Sequence, residues 1–263
     1  MSIDKLSLEG LDFQATKINI KNNILTITLN RPEKKNALNN VMMNELNYAL
    51  AYAKQEREIR VVVIDAEGDI FCAGADLRRA KEESNVPKIE EADDISFSLR
   101  RLHKPVICKI QGSVLAGALL LVTNATHAIA VDSAKFSAPE IHRGLWPFMV
   151  MAGLFRVMPK RAGLDFIMRG QPIDANKAET WGLINESVLT NQLDERVSEL
   201  AKELASLAPG TMQFGLEAYE KQDAFEFDEA LPYLQKQIAK CFEGEDAKEG
   251  IAAFLEKRKP NWK

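Results

Sequence analysis

The sequence predicts an α/β core followed by a helical layer, and three observations carry that prediction. Strand-like apolar runs alternate with amphipathic helical stretches as far as Pro139, the pattern of an α/β core. After Pro139 the apolar spacing turns almost wholly helical. The chain has 263 residues, 46% of them hydrophobic, enough to bury one large core, or one core plus a small helical appendage, without metal or disulfide.

Residues 24–29, Ile-Leu-Thr-Ile-Thr-Leu, alternate so that Leu25, Ile27 and Leu29 share the buried face of a strand ending before Pro32. Asn39 or Asn40 caps the next element. There Met42, Leu46, Ala49, Leu50 and Ala53 recur at helical spacing. Residues 61–64 are an unbroken β-branched run, as in a strand covered on both faces. Further strands are expected over residues 106–110, 127–131 and 134–136, with a helix from about Gly117. Beyond Pro139, residues 148–158, 161–168, 174–181, 193–207 and 228–242 read as helices. Val197, Leu200, Ala201 and Leu204 form a stripe in one of them, and Pro209-Gly210 punctuates its end. A domain boundary is expected near residue 200, with a core over 1–200 and a helical region over 201–263.

Composition excludes several classes. The net charge is −4 with both signs mixed, so no basic block points to nucleic acid. Three widely spaced cysteines, Cys72, Cys108 and Cys241, contain no CxxC pair, imply neither zinc nor a disulfide framework, and fit a reducing compartment. The N-terminus lacks a basic stretch followed by an apolar run, and the longest apolar stretch, 114–122, is too short to span a bilayer. A soluble cytoplasmic protein with no metal and no membrane partner is expected. No GxGxxG follows the first strand, which disfavours a dinucleotide-binding dehydrogenase.

Two segments carry the chemistry: Phe71-Cys72-Ala73-Gly74-Ala75-Asp76-Leu77 and Ile110-Gln111-Gly112-Ser113-Val114-Leu115-Ala116-Gly117-Ala118. Each is an apolar strand running into a small-residue turn that opens an expected helix. Two such turns can aim two backbone N–H groups at one point, as an oxyanion hole requires, and no bulky side chain bars a carbonyl from the backbone. Glu140 follows Pro139 directly after the last clear strand. Its neighbours Ile141, Leu145, Trp146, Phe148 and Met149 are apolar enough to dry a carboxylate and raise its pKa toward that of a general base. Cys72 and Cys108 read as core residues.

In wording and separation the paired turns resemble the signature of the crotonase superfamily, the enoyl-CoA hydratase/isomerase family. The similarity runs from Asn30-Arg31-Pro32 to Glu256-Lys257-Arg258-Lys259. It implies a spiral of repeated strand-strand-helix units with a C-terminal helical trimerisation region, assembled as a homotrimer or homohexamer. The implied ligand is an acyl-CoA thioester, with coenzyme A as part of the substrate and no separate cofactor. The Ala75 and Gly117 amides would bind the thioester oxygen, and Ala73, Gly74, Asp76 and Leu77 would line the same site. Glu140 matches one of the family's two catalytic glutamates, whereas the other position, three residues after Gly117, holds Leu120.

Arg31, Lys34 and Lys35 precede Asn36-Ala37-Leu38, where relatives grip the adenosine part of CoA, and Lys257 matches a lysine that reaches a CoA phosphate of a neighbouring subunit. Each of these cations also fits a solvated turn or a helix-end cap. With one carboxylate the implied activity is enoyl-CoA hydratase or isomerase chemistry, the single base favouring isomerisation. Thioester hydrolysis, decarboxylation or a non-catalytic acyl-CoA-binding role remain alternatives. Asn124, one helical turn beyond Leu120, reads either as a water holder or as a buried amide with ordinary hydrogen bonds. His142 and Arg143 receive no role from the sequence.

Overall fold

A computed structural model describes residues 6–78, 83–89 and 94–262. Its strands are β1 (Thr16–Lys21), β2 (Ile24–Leu29), β3 (Val61–Ala66), β4 (Ile70–Cys72), β5 (Val106–Ile110), β6 (Ser113–Leu115), β7 (His127–Val131), β8 (Lys135–Ser137), β9 (Ile173–Asp174) and β10 (Glu186–Val188). The helices are α1 (Asn40–Gln55), α2 (Ile95–Arg100), α3 (Leu119–Asn124), α4 (Phe148–Val157), α5 (Lys160–Arg169), α6 (Ala175–Thr180), α7 (Leu193–Ala205), α8 (Pro209–Gln222), α9 (Phe227–Glu243) and α10 (Glu245–Leu255).

The strands form two sheets, one ordered β1-β2-β3-β5-β7-β10 and the other β4-β6-β8-β9. From β3 to β8 the chain alternates between them, and each pass adds one parallel strand to each sheet. That alternation, with a helix closing the turns after β4 and β6, is the expected spiral. In the small sheet Cys72 lies opposite Val114, and Leu115 opposite Ser137. The segments leaving β4, β6 and β8 therefore emerge side by side at one edge.

Local chemistry accounts for these elements. Leu25, Ile27 and Leu29 are fully buried while their alternating neighbours are only half-buried. Residues 61–64 are buried on both faces of β3, as a strand inside a parallel sheet requires. Asn39 caps α1, its Oδ1 accepting from the Met42 amide at 2.9 Å. The last strand of the small sheet's parallel set covers 135–137, one residue later than the alternation suggests.

The expected break near residue 200 falls inside α7. That helix packs its buried residues Val197, Ala201 and Ala205 into the main core, with Leu200 and Leu204 against the same core. Its apolar stripe therefore serves the chain's own interior. The following helices begin at Pro209, which occupies the first turn of α8 where its missing N–H costs nothing. No helix among the described residues is long and apolar enough to cross a membrane.

The edge strand β1 is held by a buried carboxylate. Glu45 on α1 accepts from the Gln14 amide (2.7 Å), the Ala15 amide (3.0 Å) and the Thr16 hydroxyl (2.8 Å). Glu45→Ala strands three donors at once, so equilibrium denaturation in urea is expected to show a loss of about 2–4 kcal/mol. A loss inside experimental error would mean that β1 is held by its ladder with β2 alone.

Candidate active site

At the edge where β4, β6 and β8 end, the first two turns touch. Gly74 has φ +88°. A Cβ placed on it would lie 2.8 Å from both the Ala116 Cβ and the Leu115 carbonyl oxygen, and 3.0 Å from the Gly117 nitrogen. Only glycine meets both the left-handed conformation and the contact. A Cβ placed on Gly117 would sit 3.5 Å from the Ala75 nitrogen, so the two amides predicted from sequence are neighbours.

Their directions follow from the surrounding bonds. Leu38 and Ala75 form a parallel bridge, in which the Leu38 amide donates to the Gly74 carbonyl and the Asp76 amide to the Leu38 carbonyl, both at 2.8 Å. In such a bridge the N–H of Ala75 points away from Leu38, on the side where Gly117 lies. The Gly117 amide belongs to the first turn of the 3-10 segment Ala116–Ala118 that leads into α3, where N–H groups have no intrahelical acceptor. Ala116 holds φ +52°, strain that the tight entry to this turn imposes. The helix expected to open from the first turn would run into residues 79–82, which lie outside the described residues, and Leu77 is exposed.

Glu140 lies in the 3-10 turn Pro139–Arg143 that leaves β8. Its Oε2 is buried and takes no hydrogen bond among the described residues. Burial pushes its carboxyl above the ordinary glutamate range, opposed by its own backbone N–H and by Arg143. The apolar residues that follow are themselves largely open to solvent. Ile141, Leu145, Phe148 and Met149 are all exposed in the single chain, and only Trp146 is half-buried. His142 and Arg143 are exposed too.

Leu120 packs half-buried on α3, three residues beyond Gly117 and on the same helical face. Asn124 spends its amide on the Leu120 carbonyl at 2.8 Å, the ordinary bond of a partly buried side chain. Cys72 is buried and donates to the Asn36 carbonyl at 3.0 Å, and burial raises its thiol to about 12. Cys108 is likewise buried and raised to about 12. Both are core residues, as the sequence indicates.

The segment 31–38 straps the first turn in place. Asn36, buried at φ +52°, accepts from the Arg31 amide and donates to the Glu67 and Ile70 carbonyls. Ala73 donates to the Lys35 carbonyl at 3.0 Å. Lys34 and Lys35 are exposed. Arg31 is different: its side chain is only 12% exposed, against an Asp76 that is 17% exposed. Its Nη1 donates to the Ala37 carbonyl at 2.7 Å, and both Nη atoms lie 3.3 Å from Asp76 Oδ2. The Arg78 amide and the Arg31 guanidinium, against some desolvation, hold the Asp76 carboxyl below its usual range. Sequence reasoning grouped Arg31 with the coenzyme-facing lysines and missed this pairing. Lys257 is exposed just past α10 at φ +54° and makes no ion pair among the described residues.

The model of the family described as enoyl-CoA hydratase/isomerase matches residues 19–263. The chain belongs to the enoyl-CoA hydratase/isomerase family. A probable enoyl-CoA hydratase of Bacillus subtilis is 31% identical over 247 residues, covering 91% of this chain and 95% of that one. The human enoyl-CoA hydratase domain-containing protein 3, mitochondrial, is 29% identical over 243 residues, covering 91% of this chain and 80% of its own length. An enoyl-CoA hydratase/isomerase structure from Mycobacterium paratuberculosis superposes with a TM-score of 0.86 at 30% identity, covering 96% of this chain and 99% of that one. This family member thus shares the crotonase fold over 96% of its chain.

The two glycines predict opposite behaviour. Gly74→Ala brings both a disfavoured φ and a backbone clash, and is expected to cost about 2 kcal/mol or more in denaturant unfolding. Gly117→Ala, which meets its neighbours at ordinary contact distance, should unfold within about 1 kcal/mol of wild type. Equal losses for the pair would contradict the contact geometry.

Proposed function

We propose that this chain is an acyl-CoA enzyme that polarises an enoyl-CoA thioester between the Ala75 and Gly117 amides and transfers protons with Glu140 as its sole catalytic carboxylate. One observation carries this reading: three turns leave adjacent strands of one sheet, two ending in neighbouring amides and the third in a carboxylate with a buried oxygen that takes no hydrogen bond among the described residues. As a proton leaves the carbon next to the thioester, negative charge moves onto the thioester oxygen. Donors fixed at that point are each worth roughly 3–4 kcal/mol in a dry site. Glu140 takes the proton from one carbon and returns it to another, which shifts the double bond and regenerates the base.

Leu120 supplies an apolar wall where a second carboxylate would otherwise share a water with Glu140. Isomerisation is therefore favoured, since it needs one base. Hydration, the activity that the relatives' names carry, would proceed with one acid-base group fewer, a handicap on the order of 10² to 10⁴ in rate. Lys34 and the Ala37 segment are assigned to the adenosine end of CoA, and Lys257 to a phosphate bound by a neighbouring subunit.

The proposed assembly is a trimer or a dimer of trimers. Phe227, Leu231, Leu234, Ile238 and Phe242 are exposed along one face of α9, and Phe254 and Leu255 at the end of α10. An apolar face of that extent, standing uncovered on a single chain, supports burial against another copy. Light scattering at micromolar concentration is expected to give a trimeric or hexameric mass, and a monomeric mass would reject the assembly.

Calorimetry with acetoacetyl-CoA, an enolate mimic, tests the ligand: binding tighter than millimolar is expected, and none for free acetoacetate. Glu140→Gln should lower turnover by about 10² or more while leaving affinity within a few-fold. Leu120→Glu should raise hydration relative to isomerisation. Glu140 must be deprotonated to act, so the acid limb of the rate profile is expected above the ordinary glutamate range.

Stability gives an independent check on Glu140. A carboxyl with a raised folded pKa contributes stability that is fully present below its unfolded pKa and lost as pH rises through the folded value. Glu140→Gln is therefore expected to raise the thermal midpoint at neutral pH and to match wild type well below the ordinary glutamate range. A midpoint lowered at neutral pH would show that the ionised carboxylate is held by favourable contacts instead.

A further inference from the structure

We infer that Arg31 is a positioning residue that aims and polarises the Ala75 N–H through two intervening peptide groups. The inference rests on the proposed role of Ala75 and deepens it.

The observation is a continuous chain of hydrogen bonds. Arg31 Nη1 donates to the Ala37 carbonyl at 2.7 Å. That carbonyl shares its peptide group with the Leu38 N–H, which donates to the Gly74 carbonyl at 2.8 Å. The Gly74 carbonyl in turn shares its peptide group with the Ala75 N–H, the donor beside Gly117. No cis peptide interrupts the described chain, and in a trans peptide the C=O and N–H point in opposite directions. Each acceptor bond therefore fixes the direction of the next donor. A cation at the head pulls electron density along the row, because hydrogen bonds in series polarise one another and the effect is strongest where water is excluded.

The surroundings fit such a role better than a grip on coenzyme phosphate. The guanidinium is largely covered, and Asp76 Oδ2 lies 3.3 Å from both of its Nη atoms, a longer contact than the 2.7 Å bond to Ala37. Asp76 is also the residue after Ala75, and its own amide is bonded to the Leu38 carbonyl. Arg31 and Asp76 thus close a ring around the bridge that sets the Ala75 peptide. A phosphate would have to displace a carboxylate from this ring, whereas Lys34 and Lys35 stand exposed beside it.

The test uses butyryl-CoA and butyryl-pantetheine, each with a carbon-13 thioester carbonyl, bound to the full-length protein and read by isotope-edited infrared. The pantetheine ester has no phosphate or adenosine, so an effect on it cannot come from coenzyme recognition. Wild type is expected to lower the carbonyl stretch of both esters on binding. Arg31→Gln should lose much of that shift with both esters and reduce kcat about tenfold, with KM changed little. Arg31→Lys, which keeps the charge, should retain most of the shift.

Three results would overturn the inference. If wild type leaves the carbonyl of bound butyryl-CoA unshifted, the acyl-CoA reading of Ala75 and Gly117 fails and takes this inference with it. If wild type shifts the band and Arg31→Gln shifts it equally, the role given to Arg31 is wrong while the site reading stands. A loss of affinity confined to the CoA ester would then make Arg31 a phosphate ligand. Should Arg31→Gln fail to fold, Asp76→Asn decides: it leaves the Arg31 charge uncompensated, so the shift is expected to be kept or increased, and a decreased shift overturns the inference.

Discussion

The structure turns on a contact that leaves no room for a side chain. Gly74 meets Ala116 and the Leu115 carbonyl where any Cβ would stand at 2.8 Å, and this approach sets how the ends of β4 and β6 lie against each other. The cost is visible on both sides. Gly74 takes a left-handed φ, and Ala116, which has a Cβ, does so as well. Such strain persists only where neighbours over-determine the backbone. Here the parallel ladder of the small sheet and the strap from Arg31 to Leu38 do so.

The strap shows how a surface loop acquires the stiffness of a core element. Of its side chains only Leu38 joins the apolar core, but Asn36 satisfies two carbonyls and one amide from a fully buried position. Breaking any one of these bonds leaves a buried polar group unpaired. The loop therefore moves with the sheet and not with solvent, and Ala73, Gly74 and Asp76 inherit its rigidity through their backbone bonds to it.

Much of this was legible in the sequence, and the omissions share a cause. β2, β3, β5 and β7 carry strong apolar patterns because they lie inside the large sheet, and the α1 cap is written in Asn39. β1 is an edge strand with a single buried position, so its alternation of Thr, Lys, Ile and Asn carries little signal. β9 has two residues and β10 three, too few for any periodicity. Small residues marked the two turns as places of close backbone approach, while the choice of the Ala75 and Gly117 amides came from the family resemblance. Arg31 was not readable as a partner of Asp76, since a pair forty-five positions apart leaves no local trace. The stripe of α7 was readable as apolar but not as facing inward, because helical periodicity reports a face and never its occupant.

The alternation of the chain between two sheets also fixes an order in time. Val62 must find Val106, and Ile70 must find Ser113, so each new pair of strands closes a long loop before any contact rewards it. During synthesis the strap and β4 emerge early but have no neighbour to be pressed against. The Ala116 turn arrives only with the next coil, and Glu140 only with the one after that. The left-handed backbone at Gly74 and Ala116 thus gains its full set of contacts only once the second coil of the spiral is laid down. The edge where these turns meet is complete only when β8 brings in Glu140.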